Sequence, residues 1–148
     1  MSGVDDEARA TAAQCRHYAM CKIDYLGTGL CPTGPAKHFV AYYPQGRMDL
    51  YRGLAEGRIP VTEALVDAAD TCTLCGLCDA PCHFVTGLRP TAVMRALKDR
   101  VERHRRGGGA IVRPPEDDFL RRARGIVGRD HVSNDPAVLW TYADDPFP

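Results

Sequence analysis

The residues best suited to chemistry in this chain are its seven cysteines, four of them packed into Cys72-Thr-Leu-Cys75-Gly-Leu-Cys78-Asp-Ala-Pro-Cys82. The spacing is C-x₂-C-x₂-C-x₃-C. In so tight a loop three thiolates can face three irons of one cubane, while the fourth cysteine turns away to a different cluster. Gly76 frees the backbone between ligands. Loop N–H groups can bond to the cluster sulfurs and raise its potential. A Cys₄ zinc site is the competing reading. It suits the spacing less well, because zinc knuckles are C-x₂-C pairs separated by a longer gap.

The other three cysteines form a second group: Cys15-Arg-His-Tyr-Ala-Met-Cys21, then Cys31-Pro32 after a gap of nine residues. Cys15 and Cys21 match the outer members of a C-x₂-C-x₂-C run, with Tyr18 where the middle cysteine would stand. Cys31-Pro32 takes the terminal place. If the last cysteine of each run serves the other cluster, one site receives Cys72, Cys75, Cys78 and Cys31, a full [4Fe–4S] set. The other receives Cys15, Cys21 and Cys82, and three thiolates suit a [3Fe–4S] cluster. Two alternatives stay open for that second site. One is a second [4Fe–4S] cluster with Tyr18, His17 or Asp24 as fourth ligand, and the other is a degenerate, empty site.

The elements around these loops read as helices. Asp5 to Met20 is Ala-rich and predicts a helix. Gly27 to Pro35 is a loop dense in Gly and Pro, and its Gly27-Thr28-Gly29 is too short for a phosphate loop, which leaves a cluster-wrapping turn. Met48 to Glu56 predicts a short helix stopped by Gly57. Another begins after Pro60, with Thr62 as N-cap and Leu65, Val66 and Ala69 inward, and runs into Cys72. Pro90 to Arg106 predicts a longer helix with Val93, Met94, Leu97 and Val101 on its apolar face. Gly107, Gly108 and Gly109 then make a flexible hinge. A last helix starts near Glu116, its acids first and its arginines last as the helix dipole favours. It has Phe119, Leu120, Ala123, Ile126 and Val127 on one side and Gly128 as C-cap. The tail from Asn134 to Pro148 carries Trp140, Tyr142 and Phe147, with little in the chain to pack on. Almost no strand signal precedes Ala110.

Composition narrows the class. The chain has 148 residues, with 19 basic and 19 acidic side chains. That length suits one domain and a small extension, and a neutral chain has no general pull towards nucleic acid or membrane. The charge is uneven: Arg95 to Arg129 holds eleven basic and five acidic residues, a net of +6. The basic run Arg100 to Arg106 lacks interleaved aromatics, so it reads as a solvated helix end or a docking patch for an acidic partner, not a nucleic-acid site. Met1 to Ala10 is acidic with no apolar centre, so no secretory signal is expected. No stretch reaches the apolar length of a membrane span. A cytoplasmic chain is therefore expected, and an odd number of cysteines there points to metal or redox chemistry and away from disulfides. The histidines at 17, 38, 83, 104 and 131 show no metal spacing, but His17 and His83 each adjoin a cluster loop.

From Cys15 to Arg103 the chain resembles the α-helical ferredoxin domain of the iron–sulfur subunits of glycolate oxidase, D-lactate dehydrogenase and heterodisulfide reductase. The two cysteine groups carry the likeness, with Pro44-Gln-Gly-Arg47 before a helix and Thr71-Cys-Thr-Leu-Cys-Gly-Leu-Cys78 after one. The C-x₅-C spacing also resembles succinate dehydrogenase iron–sulfur subunits, where three cysteines hold a [3Fe–4S] cluster. The chain departs from the pattern at Cys82, where the proline precedes as Pro81 and His83 follows, and at position 18. It also lacks any cysteine after Cys82, so thiol–disulfide chemistry is not implied. Phe119 to Pro136, with Tyr142 to Asp145, is similar to the opening of flavin-dependent 2-hydroxy acid dehydrogenases of the vanillyl-alcohol oxidase type.

These resemblances imply a mostly α protein. An α-helical ferredoxin domain would span 1–106, a Gly/Pro linker 107–115, and a C-terminal helix with an extended docking arm 116–148. They imply an electron-transfer subunit, not catalytic alone, beside an FAD-containing dehydrogenase subunit and a further electron-acceptor protein. A relay subunit of the heterodisulfide-reductase kind in another complex is the alternative, and a zinc-bound adaptor a third.

Overall fold

In the computed structural model, which describes residues 3–24, 27 and 30–143, eight α-helices carry the architecture. They are α1 (Gly3–Ala13), α2 (Thr33–Lys37), α3 (Pro44–Ala55), α4 (Glu63–Asp70), α5 (Asp79–Thr86), α6 (Pro90–Arg106), α7 (Asp118–Val127) and α8 (Pro136–Ala143). Short 3₁₀ turns lie at Val40–Tyr42 and Arg129–His131. The fold is mostly α, as expected. Its one β feature among the described residues is an isolated parallel bridge between Thr62 and Val112. No helix among them is long and apolar enough to cross a membrane.

Helix α3 is the central rod. Its residues Pro44 to Tyr51 and Gly53 are all buried, polar Gln45, Arg47 and Asp49 included. The chain enters it through Pro44 at the first helical position, where a missing N–H costs nothing. Gly46 lets the 3₁₀ turn lie directly on the helix, because a Cβ there would collide with the Val40 carbonyl. The sequence pattern put this helix's start at Met48; it begins four residues earlier because proline and glycine here serve entry and close approach instead of a turn. Around α3 pack α1, α6, α4 and α8, with Leu50, Tyr51, Leu65, Val93, Met94, Leu97 and Val101 as the apolar centre. The Tyr51 hydroxyl donates to the Asp5 carbonyl at 3.1 Å and ties α1 to α3.

Two expectations for the flanks hold. The Thr62 hydroxyl caps α4 by accepting from Leu65 N at 3.1 Å, and α6 spans Pro90–Arg106 with Val93, Met94, Leu97 and Val101 buried. Others are corrected. α1 stops at Ala13, and Cys15 to Cys21 form a non-helical loop. α7 forms as expected and ends at Gly128, but of its apolar side only Leu120 is buried, and Phe119, Ile126 and Val127 are exposed.

The largest correction is the tail. The stretch from Asn134 to Ala143 is not an extended arm. It forms α8 and closes one side of the core, with Ala137 and Val138 buried. Asp135 joins two helix starts: one carboxylate oxygen accepts from the Thr62 hydroxyl at 2.7 Å and from Ala137 N at 2.8 Å, and the other from Ala64 N at 3.3 Å. The Trp140 indole N–H donates to the Asp49 carbonyl at 3.0 Å, over Gly53, where a Cβ would come within 2.8 Å of that nitrogen. Tyr142 accepts from Val40 N at 3.1 Å. The expected hinge is tied as well: Val112 N donates to the Val61 carbonyl at 2.8 Å, and Val112 O accepts from Glu63 N at 3.2 Å. Phe147, Asp145 and the Thr28-Gly29 part of the glycine turn lie outside the described residues.

Candidate metal centre

Each cysteine loop lies between helices that fix its ends. The first leaves α1 and runs from Cys15 to Cys21. The second leaves α4, runs from Cys72 to Cys78 and continues into α5, which carries Cys82. In the second loop Leu74 (φ 56°) and Gly76 (φ 80°) adopt left-handed backbone, two and four residues after Cys72. In the first loop His17 (φ 52°) and Ala19 (φ 60°) do the same, two and four residues after Cys15. Non-glycine residues hold this conformation at a cost of roughly 1–3 kcal/mol each and keep it only where the surroundings impose it. The two loops therefore share one backbone form, and Tyr18 stands at the place of Cys75. Both are exposed.

The folded chain gathers the cysteines into two hollows. Cys31, Cys72, Cys75 and Cys78 line one of about 350 Å³, counting its mouth, with Arg47, Leu74 and Thr91. Cys15, Cys21 and Cys82 line the other, of about 390 Å³, with His17, Tyr18 and Gln45. Pro44 lines both, so the hollows are neighbours. Cys31 thus stands with the second run, and Cys82 with the first. All seven cysteines are free thiols. Among the described residues no three His, Cys, Asp or Glu side chains converge as a single metal ion requires. Of the three non-cysteine candidates, His17 and Tyr18 line the first hollow and Asp24 does not.

Hydrogen bonds reach the sulfurs from both sides. Cys31 Sγ lies 3.3 Å from the Thr33 hydroxyl and receives Arg47 Nη1 at 3.5 Å. Cys78 Sγ lies 3.6 Å from the Thr91 hydroxyl, and Cys82 Sγ 3.2 Å from that of Thr86. Burial pushes Cys15 up to about 11, against the help of the His17 backbone N–H. It pushes Cys21 up to about 12, against that of Gln45, and Cys78 up to about 12, against the Thr91 hydroxyl. Cys82 is raised by burial too. Cys31 goes the other way. Burial would raise it, but the Thr33 hydroxyl, the N–H groups of Gly34 and Thr33, and Arg47 together carry it below the ordinary thiol value.

Two buried charged residues stand behind the hollows, and sequence reasoning assigned neither a role. Arg47 is 1% exposed. It donates through Nε to the Ala68 carbonyl at 2.7 Å and through Nη2 to the hydroxyls of Thr33 at 2.8 Å and Thr71 at 3.3 Å. Asp49, also 1% exposed, meets His17 Nε2 at 2.9 Å, and its second oxygen is buried with no partner among the described residues. Burial raises the Asp49 carboxyl above the usual range, against the pull of His17. A polar residue at a helical core position, Arg47 one turn before Leu50 and Asp49 between Met48 and Leu50, was the available signal.

No family model matches this chain, and neither does any curated protein or solved structure. The likeness to helical ferredoxins rests on the cysteine spacing and the motif residues alone.

Proposed function

We propose that this chain is an iron–sulfur electron carrier. In this reading Cys31, Cys72, Cys75 and Cys78 hold a [4Fe–4S] cluster, and Cys15, Cys21 and Cys82 hold a [3Fe–4S] cluster. The observation that carries it is the pairing of distant cysteines around two adjacent hollows: Cys31 with the second run and Cys82 with the first. Bound there, the clusters would take up and release single electrons.

The donor set fits such groups. Three or four thiols ring each hollow, and a polyatomic cluster needs ligands spread around it, whereas one zinc ion draws four ligands to about 2.0–2.3 Å of a single point. Buried Arg47 supports an anionic occupant as well, since a desolvated charge is costly unless paired. The chain's own residues would fix the sulfurs and tune them. Thr33, Thr86 and Thr91 orient Cys31, Cys82 and Cys78, and backbone N–H groups of Gly34 and Gln45 bond to Cys31 and Cys21. Tyr18, in the place of Cys75, supplies no thiolate, which favours the three-iron form.

The partner in this reading is an FAD-containing dehydrogenase of the 2-hydroxy acid type, whose cofactor would do the substrate chemistry. Among the described residues of the proposed arm, α7 presents Phe119, Ile126 and Val127 to solvent, and α8 leaves Leu139 and Tyr142 exposed. Anaerobic purification with iron, acid-labile sulfide and EPR measurement tests the proposal. Iron and sulfide in near-equal amounts, with a three-iron signal in the oxidised protein, are expected. Stoichiometric zinc without sulfide would overturn it.

A further inference from the structure

We infer that Arg47 is the built-in counter-charge of the group held by Cys31, Cys72, Cys75 and Cys78, and that it raises that group's reduction potential. The inference rests on the cluster reading above.

Arg47 is enclosed at the centre of the molecule, on the buried helix α3. A guanidinium taken out of water is stabilised only by good hydrogen bonds and an opposite charge. The hydrogen bonds are present: Ala68 O, Thr33 Oγ1 and Thr71 Oγ1 satisfy Nε and Nη2. All three are neutral acceptors. No carboxylate pairs with Arg47 among the described residues, and its remaining directed contact is Nη1 to Cys31 Sγ at 3.5 Å. The charge is thus aimed at a sulfur that becomes a thiolate on binding metal.

Position makes the effect selective. Arg47 lines the hollow of Cys31 and does not line that of Cys15. Lys98 gives its ammonium to the carbonyls of Ala69 and Cys72 at 2.8 and 2.9 Å, not to a sulfur. The first hollow is backed instead by Asp49, a buried carboxyl 2.9 Å from His17, which lines that hollow. Cluster potentials follow net charge, hydrogen bonds to sulfur and burial. Reduction adds one electron and so one negative charge. A fixed cation at close range in a low-dielectric interior favours that reduced state. When one electron passes between the two clusters, the donor is oxidised by one and the acceptor reduced by one, and Arg47 biases that exchange towards the Cys31 side.

Redox titration monitored by EPR tests this on the full-length protein. Arg47→Gln should lower the potential of the four-cysteine cluster so that its one-electron reduction equilibrium falls at least tenfold, about 59 mV. The other cluster should stay put, and Arg47→Lys should retain most of the wild-type value. Because Arg47 also holds three acceptors, the glutamine variant could fail to assemble. Thr71→Asp covers that case: it keeps Arg47 and sets a carboxylate against Nη2, and it should lower the same potential. Unchanged potentials, or equal shifts in both clusters, would overturn the inference. Wild-type protein with no iron or sulfide would overturn the cluster reading itself.

Discussion

The loops Cys15–Cys21 and Cys72–Cys78 are the same device with one part exchanged. Both turn into left-handed backbone two and four residues after the first cysteine, both lie against Pro44, and each receives one cysteine from elsewhere in the chain. One keeps its middle cysteine; the other has Tyr18. A loop that had lost its purpose would be expected to relax from two strained non-glycine conformations, and this one holds both. The two loops therefore share a backbone form, and the corner side chain is the part exchanged between them. The surroundings differ too: a buried guanidinium behind one hollow, a buried carboxylate behind the other.

The sharpest way to break this comparison is to remove the shared cysteines. Cys31→Ser should abolish the four-iron signal and leave the three-iron signal, and Cys82→Ser should do the reverse. The variants differ by one atom, so EPR of anaerobic preparations reads the pairing directly. Selective loss in the opposite sense would mean that each run serves its own cluster. Exchanging the corners is the next largest change. Tyr18→Cys should convert the three-iron site to a four-iron one, with a matching rise in iron per chain. Cys75→Tyr should leave the second site three-iron. A Tyr18→Cys protein with unchanged iron content and EPR would break the equivalence of the corners.

What the sequence disclosed follows from what is local. Helix α6 is bounded by Pro90 and Gly107, and its apolar spacing reads straight off the chain. The cysteine grouping follows from a spacing rule. The rest depends on contacts between distant segments. Histidine and alanine give no sign of left-handed backbone, so loop and helix could not be told apart at Cys15. The seat of Trp140 exists because Gly53, in another helix, has no side chain, and Asp135 matters because it reaches Thr62. The burial of Arg47 and Asp49 depends on α3 running through the centre, and beyond their spacing from Met48 and Leu50 little in the local sequence marks it.

A smaller effect probes how the two sites are supported. Trp140 braces the Asp49 carbonyl, and Asp49 holds His17 beside the first hollow. Trp140→Ala should cost about 3 kcal/mol of stability, visible as a lower midpoint in denaturant. Its cluster damage should fall first on the Cys15 site. Equal loss of both signals would show that α8 supports the core as a whole and no hollow in particular.

The smallest expected effect concerns the thiols before any cluster is bound. The thiolate is the reactive form, and the cysteines differ in how readily they produce it. Cys15 stands at about 11, with Cys21 and Cys78 at about 12, whereas Cys31 lies below the ordinary thiol value. Near pH 8 each unit of pKa costs about tenfold in thiolate. A less acidic thiol recovers close to half of that through its greater nucleophilicity. The net should still be on the order of tenfold faster labelling of Cys31 by iodoacetamide than of Cys15, Cys21 or Cys78, read by peptide mass spectrometry of the cluster-free protein. Cys75 is exposed and is left out of the comparison. The sign follows from the shifts: as pH rises, Cys31 approaches full ionisation first and its rate levels off first, while Cys15, at about 11, goes on gaining thiolate. The ratio should therefore shrink as pH rises. Arg47→Lys should preserve the preference and Arg47→Gln reduce it. Equal labelling of all four at pH 8 would show that the surroundings of Cys31 do not favour its thiolate, and the electrostatic contrast between the hollows would then rest on Asp49 alone.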